Sequence, residues 1–170
     1  MKALIALAER PPFFSMAHIH VLLNHLPIMG LAMGIFALGF ALFLHSRMAQ
    51  IVALAVVFIA AASAWPVNFT GQRAYKPMRG LVDDEGSDWL DEHLDRAGKT
   101  APVFYALAVL ALATLLVPLR WPRSTFSLTI ATLVLAIICE IAGAWIAMAG
   151  GQIRHPEFHH SAAIPGIHYI

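Results

Sequence analysis

Charge is what this sequence has least of. Asp, Glu, Lys and Arg make up 12% of its 170 residues, about half the share of an ordinary soluble domain. Eleven basic and ten acidic residues leave a formal net charge of +1, and no basic patch is interleaved with aromatics, so nucleic acid is not expected as a partner. Cysteine is almost absent. Cys139 stands alone, which excludes an internal disulfide and a CxxCH attachment of haem. The many alternating segments of about ten residues that a membrane β-barrel needs are missing. So are low-complexity tracts, and no internal repeat is visible. The opening "MKALIALAERPPFF" has a short apolar stretch, then Glu9-Arg10-Pro11-Pro12 and no clear cleavage site. A removed signal peptide is therefore not expected, and the first membrane helix should act as an uncleaved anchor.

Apolar runs are present in abundance. The chain is 59% hydrophobic with a mean hydropathy of +0.72. Ile19–Leu44, Ala49–Phe69, Ala101–Leu119 and Phe126–Ala149 each approach the roughly 20 apolar residues that cross a bilayer. The fold class predicted is an all-α membrane protein, a four-transmembrane-helix up-down-up-down bundle. Residues 1–17 form an N-terminal lead, 18–158 the membrane domain and 159–170 a tail. In the first span Pro27 permits a kink, and Gly30-xxx-Gly34 lets a backbone or a flat cofactor approach closely. "WPVNFTG" (65–71) is expected to stop the second span through Pro66, Asn68 and Gly71. Residues 71–100 are the one sizeable polar segment, with five basic and seven acidic residues. Within it "SDWLDEHLDRAG" starts at a Ser87/Asp88 cap signal and reads as an amphipathic helix lying between the second and third spans.

Histidine is the residue the chain spends where it is costly. "HIHVLLNHLPIMG" (18–30) places His18, His20 and His25 within eight residues at the entrance of the first span. An even number of spans puts both termini on one side, and the 71–100 segment joins them there. His18, His20, His25, His93, His155, His159, His160 and His168 therefore share one end of the bundle, and only His45 belongs to the other. His18 and His25 fall on nearly the same helix face, whereas His20 is rotated roughly 140° from His25. The three cannot all serve one ion from a regular helix. Basic residues give conflicting orientation signals: Arg47, Arg120 and Arg123 mark the opposite loops, yet more Lys and Arg lie on the histidine side.

Zinc asks for three or four tetrahedral ligands, and copper accepts imidazoles too. Haem b needs only one or two axial imidazoles and an apolar slot. Histidines on separate helices facing a bundle core suit haem better than a compact zinc cluster. His20, His25, His93 and His155, with His18 as an additional candidate, are the expected cofactor ligands. His159, His160 and His168 read as solvated tail residues. Glu140, about ten residues inside the fourth span, is costly at that depth. It is a candidate proton or quinone site, or else a protonated carboxyl bonded to a neighbouring helix. Cys139 reads as a small packing residue.

"HVLLNHLPI" (His20 to Ile28) resembles the "HPxxVHFPI" opening of the DUF2231 family of predicted bacterial membrane proteins, with Val21 in place of the first proline. "TGQRAY" (70–75), His93 and "GGQIRHPEF" (150–158) are similar to later short segments of that family. The resemblance implies a haem b or electron-transfer role centred on His20, His25, His93 and His155. It also implies c-type cytochrome partners, and hence a histidine face turned to the periplasm. The resulting expectation is a bacterial inner-membrane b-type cytochrome subunit with one or two haems, passing electrons between quinol and a periplasmic redox partner. It would be an electron-transfer subunit of an oxidoreductase complex rather than a free enzyme. Two rivals stand beside it. One is a Zn- or Cu-binding protein using His155, Glu157, His159 and His160. The other is a cofactor-free assembly subunit of a respiratory or photosynthetic complex.

Overall fold

A computed structural model describes residues 15–153, and these residues form an all-α bundle with four helical segments long and apolar enough to cross a membrane. The first segment is made of α1 (Met16–Leu23) and α2 (His25–Phe43). It is followed by α3 (Arg47–Arg79), α4 (Asp84–Leu116) and α5 (Thr125–Gln152). Consecutive segments pack against each other, and α5 returns to pack on α2. Large apolar side chains such as Leu22, Phe36, Phe43 and Ile141 point outward, as they must where the surrounding solvent is lipid.

Each boundary has a local cause. Ser15 caps α1, its Oγ accepting from the His18 amide at 3.3 Å. The first segment breaks at Asn24, three residues before Pro27, whose ring would clash with the carbonyl of residue 23 and has no N–H to offer it. At the end of α2, Ser46 N reaches Ala41 O (3.1 Å) and His45 N reaches Leu42 O (3.0 Å). This is a Schellman closure, and His45 takes the left-handed position with φ 52°.

The polar segment differs from its sequence reading. Helix α3 does not stop at "WPVNFTG" but runs through Pro66 to Arg79. Thr70 explains part of this: its hydroxyl donates to Pro66 O at 2.8 Å, one of the adjustments that make proline tolerable in membrane helices. The amphipathic stretch is likewise no separate surface helix. Asp83, not Ser87 or Asp88, is the cap, its Oδ1 accepting from Gly86 N at 2.8 Å, and α4 then continues through Pro102 into the membrane. At 33 residues each, α3 and α4 are about 50 Å long against a hydrocarbon core of about 30 Å. Their charged ends therefore form a helical hairpin beyond the apolar region. Asp91 ties it together, accepting from Tyr75 at 2.5 Å and pairing with Arg79 at 2.6 Å.

The core is built from Leu31, Val57, Ala60, Ala61, Phe104, Leu107, Ala111, Ala136 and Cys139. The Gly30-xxx-Gly34 pair is used for helix packing: a Cβ on Gly30 would lie 2.8 Å from the Ala60 Cβ, and one on Gly34 2.7 Å from Val57 Cγ2 and 3.4 Å from Val57 N. Gly39, by contrast, has nothing within 4 Å of the corresponding position. Gly34→Val is expected to separate α2 from α3 and cost about 1–3 kcal/mol, whereas Gly39→Ala should be neutral or better. Thermal unfolding of both variants in one detergent checks the contrast.

Candidate functional site

The histidine end of the bundle contains one device built twice. In a helix the Cα–Cβ bond tilts toward the N-terminus, so the side chain at position i+4 covers the carbonyl of position i. Glycine at i+4 leaves that carbonyl open. In α3 the pair is Val67 and Gly71, and His20 of α1 lies across it, with Nδ1 3.0 Å from Val67 O. A Cβ on Gly71 would stand 2.9 Å from the His20 Cε1. In α5 the pair is Ile146 and Gly150, and His93 of α4 lies across it, with Nδ1 3.0 Å from Ile146 O. A Cβ on Gly150 would stand 3.1 Å from the His93 Nδ1. No internal repeat was expected from the sequence, yet the two halves of the bundle present the same arrangement. The five-residue stretches share only a β-branched first residue and a small residue before the glycine: Val67…Thr70-Gly71 and Ile146…Ala149-Gly150.

These bonds determine the chemistry of both rings. A backbone carbonyl can only accept, so each Nδ1 carries the proton and the lone pair of each neutral ring sits on Nε2. The two imidazoles come together across the end of the bundle, with ring centroids 6.4 Å apart and planes crossed at 81°. Thr70 Oγ1 lies 3.4 Å from the His20 Nδ1 as a further neighbour.

Two residues beside His93 carry no site signal in the sequence. Trp89, one turn before it on α4, is 2% exposed and packs with Ala149 and Ile153. Its Nε1 is buried with no hydrogen-bond partner among the described residues. Arg96 is 7% exposed. Its Nε donates to Glu92 Oε1 at 2.7 Å, its Nη1 donates to Trp145 O at 2.8 Å, and its guanidinium lies 4.6 Å over the Trp145 ring. His93 and Arg96 thus grip consecutive carbonyls of α5.

The other sequence candidates fall elsewhere. His25 is exposed on the outside of the bundle, its Nδ1 3.2 Å from Val21 O of the preceding turn. His18 is exposed beside Ser15, 2.8 Å from its Oγ. His155, Glu157, His159, His160 and His168 lie outside the described residues. Glu140 sits on α5 seven residues after Leu133 and so on nearly the same face of that helix. Its Oε2 is buried and without a partner among the described residues. About 15 Å of helical rise separates it from Gly150. Among the described residues no group of three or more His, Cys, Asp or Glu side chains is gathered as a metal cluster would require.

No family model, curated protein or solved structure matches this chain.

Histidine 15N NMR checks the double device directly. The Nδ1-protonated tautomer is expected at both His20 and His93, and Gly150→Leu should abolish it at His93 while leaving His20 unchanged.

Proposed function

We propose that the protein is a membrane-embedded electron-transfer subunit that holds one haem b between His20 and His93. The spacing of the two rings carries the reading. An imidazole nitrogen binds a transition metal at about 2 Å and the ring centre lies about 1.1 Å farther on, so two imidazoles that share one ion have centres up to about 6.3 Å apart. The observed separation is 6.4 Å. A metal-binding histidine characteristically donates its other N–H to a carbonyl or carboxylate, which holds the ring's orientation, and both rings do so here. Two protein ligands are sufficient when a macrocycle supplies the other four. That favours haem over a bare zinc or copper ion, since the described residues gather no third ligand. The ligands of the rival Zn/Cu site lie outside the described residues.

Bound at this position, haem would take up and release single electrons. The chain's own residues would provide the rest. His20 and His93 would supply the iron ligands, Gly71 and Gly150 give the rings room, and Arg96 locks α4 to α5 beside His93. The pair stands at the end of the bundle where α3 and α4 pass into their charged hairpin, so a donor dissolved in the membrane and an acceptor in water could both come near. Quinol as donor, a periplasmic c-type cytochrome as acceptor and a bacterial inner-membrane location complete the proposal. They accord with the likeness of His20–Ile28 to the DUF2231 opening. Glu140, whose Oε2 is buried without a partner among the described residues, would receive a proton released on quinol oxidation.

The test is a dithionite-reduced minus oxidised spectrum with a pyridine haemochrome assay, on protein purified with its native partners. One b-type haem per chain is expected. His20→Ala and His93→Ala should each lose it, His18→Ala and His25→Ala should keep it, and Glu140→Gln should keep it while slowing reduction by quinol at least about tenfold. Absence of haem from the wild type, or its retention in both the His20 and His93 variants, overturns the reading. A haem-free protein whose His25→Ala variant assembles normally would instead support the assembly-subunit alternative.

A further inference from the structure

We infer that the indole N–H of Trp89 binds a carboxylate of the ligand held between His20 and His93, and so determines which way round that ligand sits. The inference rests on the haem reading, because haem is an apolar macrocycle with two carboxylates on one edge. Trp89 is 2% exposed, and its Nε1–H has no acceptor among the described residues. Buried tryptophan N–H groups usually find a partner, and leaving one unpaired is costly. An acceptor supplied by the ligand removes that cost.

Its place suits the task. Trp89 precedes His93 by four residues, so it lies about 40° around the helix on nearly the same face and about 6 Å farther along the axis. That displacement is toward the N-terminus of α4, the end continuous with the charged hairpin. A carboxylate avoids hydrocarbon, so the acidic edge of the ligand must turn this way. Among the described residues, Arg96, three residues deeper than His93, holds Glu92 and Trp145 O, and Arg73 stacks 4.0 Å over the Phe69 ring. The two halves of the site are otherwise alike, but the residue four before His20 is Met16, which offers no donor. Trp89 therefore breaks the near-symmetry of the site on one side only.

The experiment compares the full-length protein and Trp89→Phe, each titrated with haem and with haem dimethyl ester, whose capped carboxylates carry no charge. Phenylalanine keeps an aromatic ring in the packing against Ala149 and Ile153 and removes the N–H. Wild type should bind haem about tenfold or more tightly than the ester, as expected for a hydrogen bond to a charged group. Trp89→Phe should lose most of that preference while its spectrum still reports two histidine ligands. The propionate bending bands in resonance Raman spectra should shift between the two proteins. Trp89→Phe discriminating as strongly as wild type overturns the inference and leaves the haem reading intact. Should the variant not fold, equal binding of haem and ester by the wild type alone also overturns it. Wild type that binds neither compound removes the haem reading, and this inference with it.

Discussion

A histidine that enters a membrane helix bundle brings an N–H that must find an acceptor, because hydrocarbon offers none. In this protein the acceptor is a backbone carbonyl on the neighbouring helix, opened by a glycine one turn later. His20 uses Val67 over Gly71, and His93 uses Ile146 over Gly150. The rest of the site follows from this bond. It holds each ring against the adjacent helix, fixes its tautomer and leaves the ring's lone pair on Nε2. It also ties α1 to α3 and α4 to α5, so that the two imidazoles are presented by two rigid helix pairs rather than by loops. A site borne on helices is held more exactly than one on loops, and the 6.4 Å separation of the rings depends on that rigidity.

The long hairpin sets the depth. Because α3 and α4 outlast the apolar core, the histidine pair lies near its edge, with the Asp91–Arg79 and Asp91–Tyr75 contacts beyond it. The opposite half of the bundle is devoted to packing: Gly30 and Gly34 against α3, and a buried Thr114–Thr132 hydrogen bond of 2.7 Å between α4 and α5. The molecule therefore separates into a close-packed half and a half in which histidine, tryptophan and arginine side chains reach across helix boundaries.

The four spans were legible in the sequence because a helix of about twenty apolar residues has few stable surroundings besides a bilayer. Their ends were less so. Pro66, Asn68 and Gly71 terminate helices in water, where competing turns are solvated. In a membrane helix the same residues are carried through, with Thr70 bonding back to the Pro66 carbonyl, and Gly71 serves the histidine instead of ending the helix. The gathering of His18, His20, His25 and His93 at one end followed from counting spans, and the wheel angle already separated His20 from His25. What the sequence could not show was which histidine faces inward and what it faces. The acceptors are main-chain carbonyls, identical at every residue, and only the glycines betray them. Arg96 was hidden for a related reason: in a segment read as an amphipathic surface helix it looks solvated, and only the continuity of α4 buries it, whereas Trp89 was legible as sharing a helix face with His93 but not as a buried neighbour of α5.

Paramagnetic resonance of the ferric protein tests the central claim most directly. If His20 and His93 hold one haem iron as proposed, their planes, crossed at 81°, should give a strongly anisotropic low-spin signal, and replacing either residue should abolish it. A high-spin signal in the wild type, or a low-spin signal that survives replacement of both residues, would contradict the account.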